Sequence, residues 1–135
     1  MKIDHIGIAV KDIEQSNLLF QKLLGKEHYK IEEVETEGVL TSFFQTGESK
    51  VELVKSTKKG SAIDRFIEKK GEGIHHVAFE VEDIKFEMER LKAEGFQLLS
   101  DEPRKGADNK LVCFIHPKTA NGVLVELCQS IDPNE

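Results

Sequence analysis

The sequence predicts an α+β fold built from two tandem βαβββ modules. Three observations carry this expectation. First, Asp4-His5-Ile6-Gly7-Ile8-Ala9-Val10-Lys11-Asp12-Ile13 is echoed by His75-His76-Val77-Ala78-Phe79-Glu80-Val81-Glu82-Asp83-Ile84. His5, Val10, Asp12 and Ile13 each lie 71 positions from their counterparts. A repeat of about half the chain length marks two like structural units. Second, each copy passes from a two-residue alternation of apolar side chains to a helical spacing, across an aspartate suited to cap a helix. Third, 135 residues is the size of one compact domain. The expectation is a single domain over 1–135, with module 1 at about 1–56, a linker with a short helix at about 57–73, and module 2 at about 74–130.

Each element has its own signal. Ile3–Val10 alternates and is rich in β-branched residues, which suits a strand. Asp12, with Gln15 three residues on, reads as a helix start, and Ile13, Leu19, Phe20, Leu23 and Leu24 give an apolar stripe ending at Gly25. Strands follow at roughly 28–37, 38–46 and 49–55, punctuated by Glu37-Gly38 and Gly47-Glu48-Ser49. Ser61-Ala62-Ile63-Asp64 opens a short helix through Lys70. The second copy repeats the order: a strand over 74–81, then a helix over about 83–94, capped by Asp83 and stopped at Gly95. Strands are then expected near 96–100, 110–116 and 122–129, with a polar loop at Asp101–Asn109 and a frayed acidic tail after Ser130.

Composition narrows the function. A formal charge of −6 argues against a nucleic-acid partner, although local lysines and arginines can still meet an anionic small ligand. No apolar run approaches the ~20 residues that span a bilayer, and Met1-Lys2-Ile3-Asp4-His5 does not read as a signal peptide. Cys113 and Cys128 sit in apolar runs without a CxxC pattern, so they read as reduced core thiols of a cytoplasmic protein.

The repeat extends to the last strand of each module, Lys50-Val51-Glu52-Leu53-Val54 and Leu124-Val125-Glu126-Leu127-Cys128. His5 to Glu52 is 47 positions and His76 to Glu126 is 50, a difference the 101–109 loop absorbs. Alternation places Ile6, Ile8 and Val10 on one face and His5 with Gly7 on the other. His76 with Ala78, and each glutamate, likewise oppose an apolar face. Two imidazoles, two carboxylates and small neighbours make a candidate site for Zn, Co, Ni, Mn or Fe(II). The plainer alternative is a solvated sheet face carrying ordinary polar residues. His75 points away from His76, His28 reads as a surface residue, and His116 ends a strand near the loops.

Four pieces resemble a known family: Asp4–Ala9; Gly73–Phe79; Asp101–Ala107; and Phe114–Lys118 with Gly122–Leu127. The first two resemble the vicinal oxygen chelate (glyoxalase/bleomycin resistance/dioxygenase) superfamily. The last two resemble, more particularly, the methylmalonyl-CoA epimerase family within it. The likeness runs over nearly the whole chain. It implies that an eight-stranded mixed sheet curls around a metal-binding cavity. It implies one divalent ion (Co, Zn, Mn or Ni) held by His5, Glu52, His76 and Glu126, with glutamine at the place of Glu52 in some members. It also implies a homodimer, and interconversion of (R)- and (S)-methylmalonyl-CoA by α-proton abstraction through a metal-stabilised enolate. Glu126, and next Glu52, are the candidate catalytic bases. Arg104, Lys105, His116 and Lys118 are the candidate contacts to the acyl-CoA. The chain departs from the pattern at Thr41, where some epimerases carry a glutamate proposed as a base. Rival readings are a lactoylglutathione lyase-like metalloenzyme and a metal-free small-molecule-binding resistance module. An extradiol dioxygenase, which needs only two histidines and one carboxylate, fits a four-ligand set less well.

Overall fold

The structure, a computed structural model, describes residues 1–131. The expected tail beyond Ile131 lies outside the described residues. The chain divides into two compact units, His5–His75, and Met1–Asp4 together with the chain from His76 on.

The first unit contains most of β1 (Lys2–Ala9), then α1 (Ile13–Leu24), β2 (Lys30–Val34), β3 (Val39–Thr46), β4 (Ser49–Ser56) and α2 (Ala62–Lys70). Its strand order is β2-β3-β4-β1. β2 and β4 flank β3 antiparallel, and β1 joins β4 in parallel, so the sheet is mixed. Asp12 caps α1 by accepting from the Gln15 backbone N–H at 3.0 Å, and Gly25 ends it in the left-handed region at φ 73°. Ser61 does the same for α2, accepting from the Asp64 N–H at 3.0 Å. Val10, Ile13, Phe44 and Leu53 form the core between sheet and α1, joined by Ile8, Phe20, Leu24, Leu40 and Val51. Burying a side chain such as Leu53 contributes on the order of 2 kcal/mol.

The helical stripe differs from expectation. Leu19 and Leu23 are exposed, and Asn17 is buried in their stead. The Ser42 hydroxyl donates to Asn17 Oδ1 at 2.5 Å, and this satisfies the amide where an apolar side chain was expected. His28 is not a simple surface residue either. Its ring meets Phe44 edge-on at 5.9 Å, with Nδ1 buried.

The second unit contains most of β5 (Gly73–Glu80), then α3 (Ile84–Ala93), β6 (Arg104–Lys105), β7 (Lys110–Ile115), a 3-10 turn (Pro117–Thr119) and β8 (Val125–Ser130). The order is β5-β8-β7-β6, with β5 and β8 parallel and the other pairs antiparallel. Asp83 caps α3 by accepting from the Phe86 N–H at 3.1 Å. Val81, Ile84, Met88, Leu91, Cys113, Ile115 and Leu127 form its core. Both cysteines are buried free thiols, and burial raises the Cys113 pKa. Among the described residues no helix is long and apolar enough to cross a membrane.

Two boundaries move. The strand expected at 96–100 is absent; that segment makes one isolated bridge, Leu98 to Ile115. The second strand of the module is instead the two-residue β6, inside what read as a polar loop. The last strand begins at Val125 because Asn121 and Gly122 adopt positive φ (56° and 82°), with the Gly122 N–H on the Pro117 carbonyl at 2.8 Å.

Candidate metal centre

Within the first unit, β1 and β4 run in parallel register, His5 beside Lys50 and Gly7 beside Glu52. His5 and Gly7 alternate with the apolar Ile6 and Ile8, so the imidazole emerges on the face away from α1. Glu52 emerges on the same face, and its Oε2 lies 3.0 Å from His5 Nδ1. Both residues are buried, at 5% and 4% exposure. The second unit rebuilds this arrangement. β5 places Ala78 beside Glu126 on β8, and His76 Nε2 stands 3.3 Å from Glu126 Oε1, at 7% and 6% exposure.

A buried carboxylate is costly unless it is paired or binds a cation. Each glutamate here has an imidazole against it, and each imidazole carries a second ring nitrogen. These are intermediate-hardness nitrogen and oxygen donors of the kind that bind first-row divalent ions. His5, Glu52, His76 and Glu126 all belong to groups of buried donors close enough to hold a metal ion. Gly7 and Ala78 add almost no bulk beside the carboxylates.

Sequence reasoning missed a further shared feature. Phe43 pairs directly with Glu52, and Phe114 pairs directly with Glu126. The two phenylalanines are 71 positions apart, the same offset as the histidines. Phe114 meets His76 edge-on at 5.8 Å. Phe43 is fully buried, with Tyr29 stacked on it at 5.9 Å and 8° and the Lys30 ammonium 4.6 Å from its centroid. Each carboxylate therefore has an aromatic ring as its cross-strand neighbour, a setting that limits water around it.

The remaining candidates fall in different places. Arg104 opposes Val112, in the row next to Glu126 and Phe114, and is exposed. Lys105, one residue on, projects to the opposite face. His116 caps the 3-10 turn, its Nδ1 accepting from the Lys118 N–H at 3.0 Å. That bond leaves Nε2 as the nitrogen able to face a ligand. Lys118 is exposed. Thr41 is buried on the Glu52 face, between Val54 of β4 and Glu32 of β2. His75, on the face away from His76, meets Phe66 of α2 edge-on at 5.0 Å, and burial lowers its pKa to about 4. Asp4, beside His5 in sequence, is taken up by the buried Lys110, whose ammonium lies 3.4 Å from Asp4 Oδ1 and donates to Ser130 Oγ at 3.0 Å.

Comparison with known proteins follows the same lines. Residues 4–114 match the model of the Glyoxalase/Bleomycin resistance protein/Dioxygenase superfamily. An ethylmalonyl-CoA/methylmalonyl-CoA epimerase from Cereibacter sphaeroides is 41% identical over 130 residues, 95% of this chain and 97% of that protein. The crystal structure of methylmalonyl-CoA epimerase from Mycobacterium tuberculosis superposes with a TM-score of 0.92 at 30% identity, over 97% of this chain and 89% of the other. A Streptomyces coelicolor methylmalonyl-CoA epimerase variant in complex with 2-nitronate-propionyl-CoA superposes with a TM-score of 0.91 at 33% identity, over 98% and 99%.

Proposed function

Because this chain belongs to the glyoxalase/bleomycin resistance protein/dioxygenase superfamily, we propose that it is an isomerase interconverting (R)- and (S)-methylmalonyl-CoA with the help of a divalent metal ion. The observation that carries this reading is the duplicated, buried histidine–glutamate pair, in a chain 41% identical to an epimerase over nearly its whole length. On this reading the two units work as one domain. Modules at about 1–56 and 74–130, joined by 57–73, are the two halves of that domain. The protein acts in the cytoplasm as a homodimer.

His5, Glu52, His76 and Glu126 are the residues that would hold the ion. When bound, a divalent ion of the Co, Zn, Mn or Ni type supplies Lewis acidity, spreading charge that develops on the thioester and carboxylate oxygens of the substrate. The protein's own groups handle the proton. Glu126 takes the α-proton as first candidate and Glu52 as second, since each presents a carboxylate oxygen on the face where the substrate would bind. Thr41 cannot share this work, because its hydroxyl is far too weak a base at neutral pH. Phe43 and Phe114 exclude water from the carboxylates. Arg104, His116 and Lys118 supply cations and an N–H donor for the phosphates and carboxylate of the acyl-CoA, whereas Lys105, expected among them, projects to the opposite face and is left out.

The test is a direct assay. Protein reconstituted with each of the four metals is given (R)- or (S)-methylmalonyl-CoA, with the methylglyoxal–glutathione adduct as control. Epimerisation together with exchange of the α-proton in D₂O is the expected result. Turnover of the glutathione adduct but not of the CoA ester would assign the chain to lyase chemistry. Protein that takes up no metal and turns over neither substrate would fit a binding module.

A further inference from the structure

We infer that Lys110 is a positioning residue, which holds the Asp4 carboxylate so that it does not become a further ligand of the metal. This rests on the metal-dependent epimerase reading and deepens it. Asp4, His5 and Glu52 are buried, and each offers a donor atom within 4.8 Å of the other two. Donor chemistry alone would therefore recruit Asp4 to an ion held by His5 and Glu52. Catalysis calls for the opposite. The two glutamates already match the charge of a divalent ion, and a third carboxylate would make the centre anionic. It would also fill a position that a substrate oxygen needs, and a catalytic site keeps such a position open.

Lys110 provides the restraint. Its ammonium lies 3.4 Å from Asp4 Oδ1, with the two side chains only 9% and 7% exposed. It also donates to the hydroxyl of Ser130, its cross-strand neighbour on β8, at 3.0 Å. Moving Asp4 to the ion would strand a buried ammonium, which is costly. The repeat supports this division of roles. At the offset of 71, Asp4 corresponds to His75 and Lys110 to Val39. Val39 is buried and pairs with Ser56, as Lys110 pairs with Ser130. Carboxylate and cation thus occur together in one copy and are both missing from the other.

The experiment titrates wild type, Lys110→Met and the double variant Asp4→Asn/Lys110→Met with Co(II) alone. It reads the d–d absorption of the ion, the affinity, and the rise in melting temperature at saturation. Lys110→Met is expected to show weaker d–d absorption, as an ion with one more ligand does, and to bind Co(II) about tenfold more tightly. Its melting temperature should rise more than that of wild type, since the released carboxylate finds its counter-charge in the ion. The double variant replaces the pair by neutral groups of similar size and should return absorption and affinity to the wild-type values. Unchanged absorption in Lys110→Met overturns the inference, even if binding tightens, because removing a nearby positive charge would tighten it without any new ligand. Failure of Lys110→Met to fold in saturating Co(II) overturns it too, since Asp4 has then not reached the ion. Altered absorption in the double variant would make Asp4 a ligand of the wild type, which is the reverse of the inference. A wild type that takes up no ion removes the metal centre itself, and with it the premise.

Discussion

Individual side chains make the sharpest claims. Glu126 is asked to be both donor and base, and Glu126→Gln separates the roles because it keeps the shape and one oxygen. With metal content held equal, α-proton exchange in D₂O should fall by about 10²–10⁴-fold. Undiminished exchange would move the base to Glu52. His75 predicts a pH effect on stability that is separate from catalysis. Burial against Phe66 lowers its pKa to about 4, so between that value and 6.5 the unfolded chain binds the proton more readily. The stabilisation is full above pH 6.5 and is lost as pH falls toward 4, amounting to at most about 3 kcal/mol. His75→Phe keeps an aromatic ring and has no proton to gain. Urea midpoints of wild type and variant at pH 7.5 and pH 5 should therefore show a steeper acid loss in the wild type. Parallel curves would remove His75 as the cause.

At the scale of elements, the two equivalent caps offer a matched pair of probes. Asp12→Ala and Asp83→Ala each remove a carboxylate that holds the first turn of a helix, and each should cost about 1 kcal/mol in urea unfolding. A loss at only one of them would mean that the two helices do not share the same dependence on their caps. These caps were legible in the sequence because capping is local chemistry: an aspartate, a register of three and an apolar run. The histidine–glutamate pairs were legible because alternation along a strand fixes which face a side chain takes. Other features depend on neighbours that are distant in sequence. Asn17 lies inside α1 because Ser42, 25 residues away, gives it a partner. The segment 96–100 carries strand-like residues but forms only one bridge, and the adjoining partner position along β7 goes to Arg104 and Lys105. Taken singly, Phe43 and Phe114 are ordinary apolar strand residues. Only the strand register shows them beside the carboxylates, although their offset of 71 was a signal open to a longer repeat search.

For the whole molecule, metal and folding should be linked. Ions that bind the native chain and not the unfolded one stabilise it by mass action, about 2.7 kcal/mol at a free concentration of one hundred times Kd. Melting temperature is therefore expected to rise with added Co or Zn, to fall back with a chelator, and to lose that response in His5→Ala or His76→Ala. A metal-independent melting temperature in the wild type would count against the centre. The repeated pair also bears on stereochemistry. On the proposed chemistry, substrate and product are nearly mirror images at the reacting carbon, and neither direction of the reaction is privileged. An enzyme with one carboxylate favours one hand and must turn its substrate to reach the other. Duplicating a module supplies the same imidazole, carboxylate and phenyl ring twice, on a chain that can then diverge elsewhere. Even-handedness toward two enantiomeric faces would then be inherited from the duplication rather than shaped residue by residue.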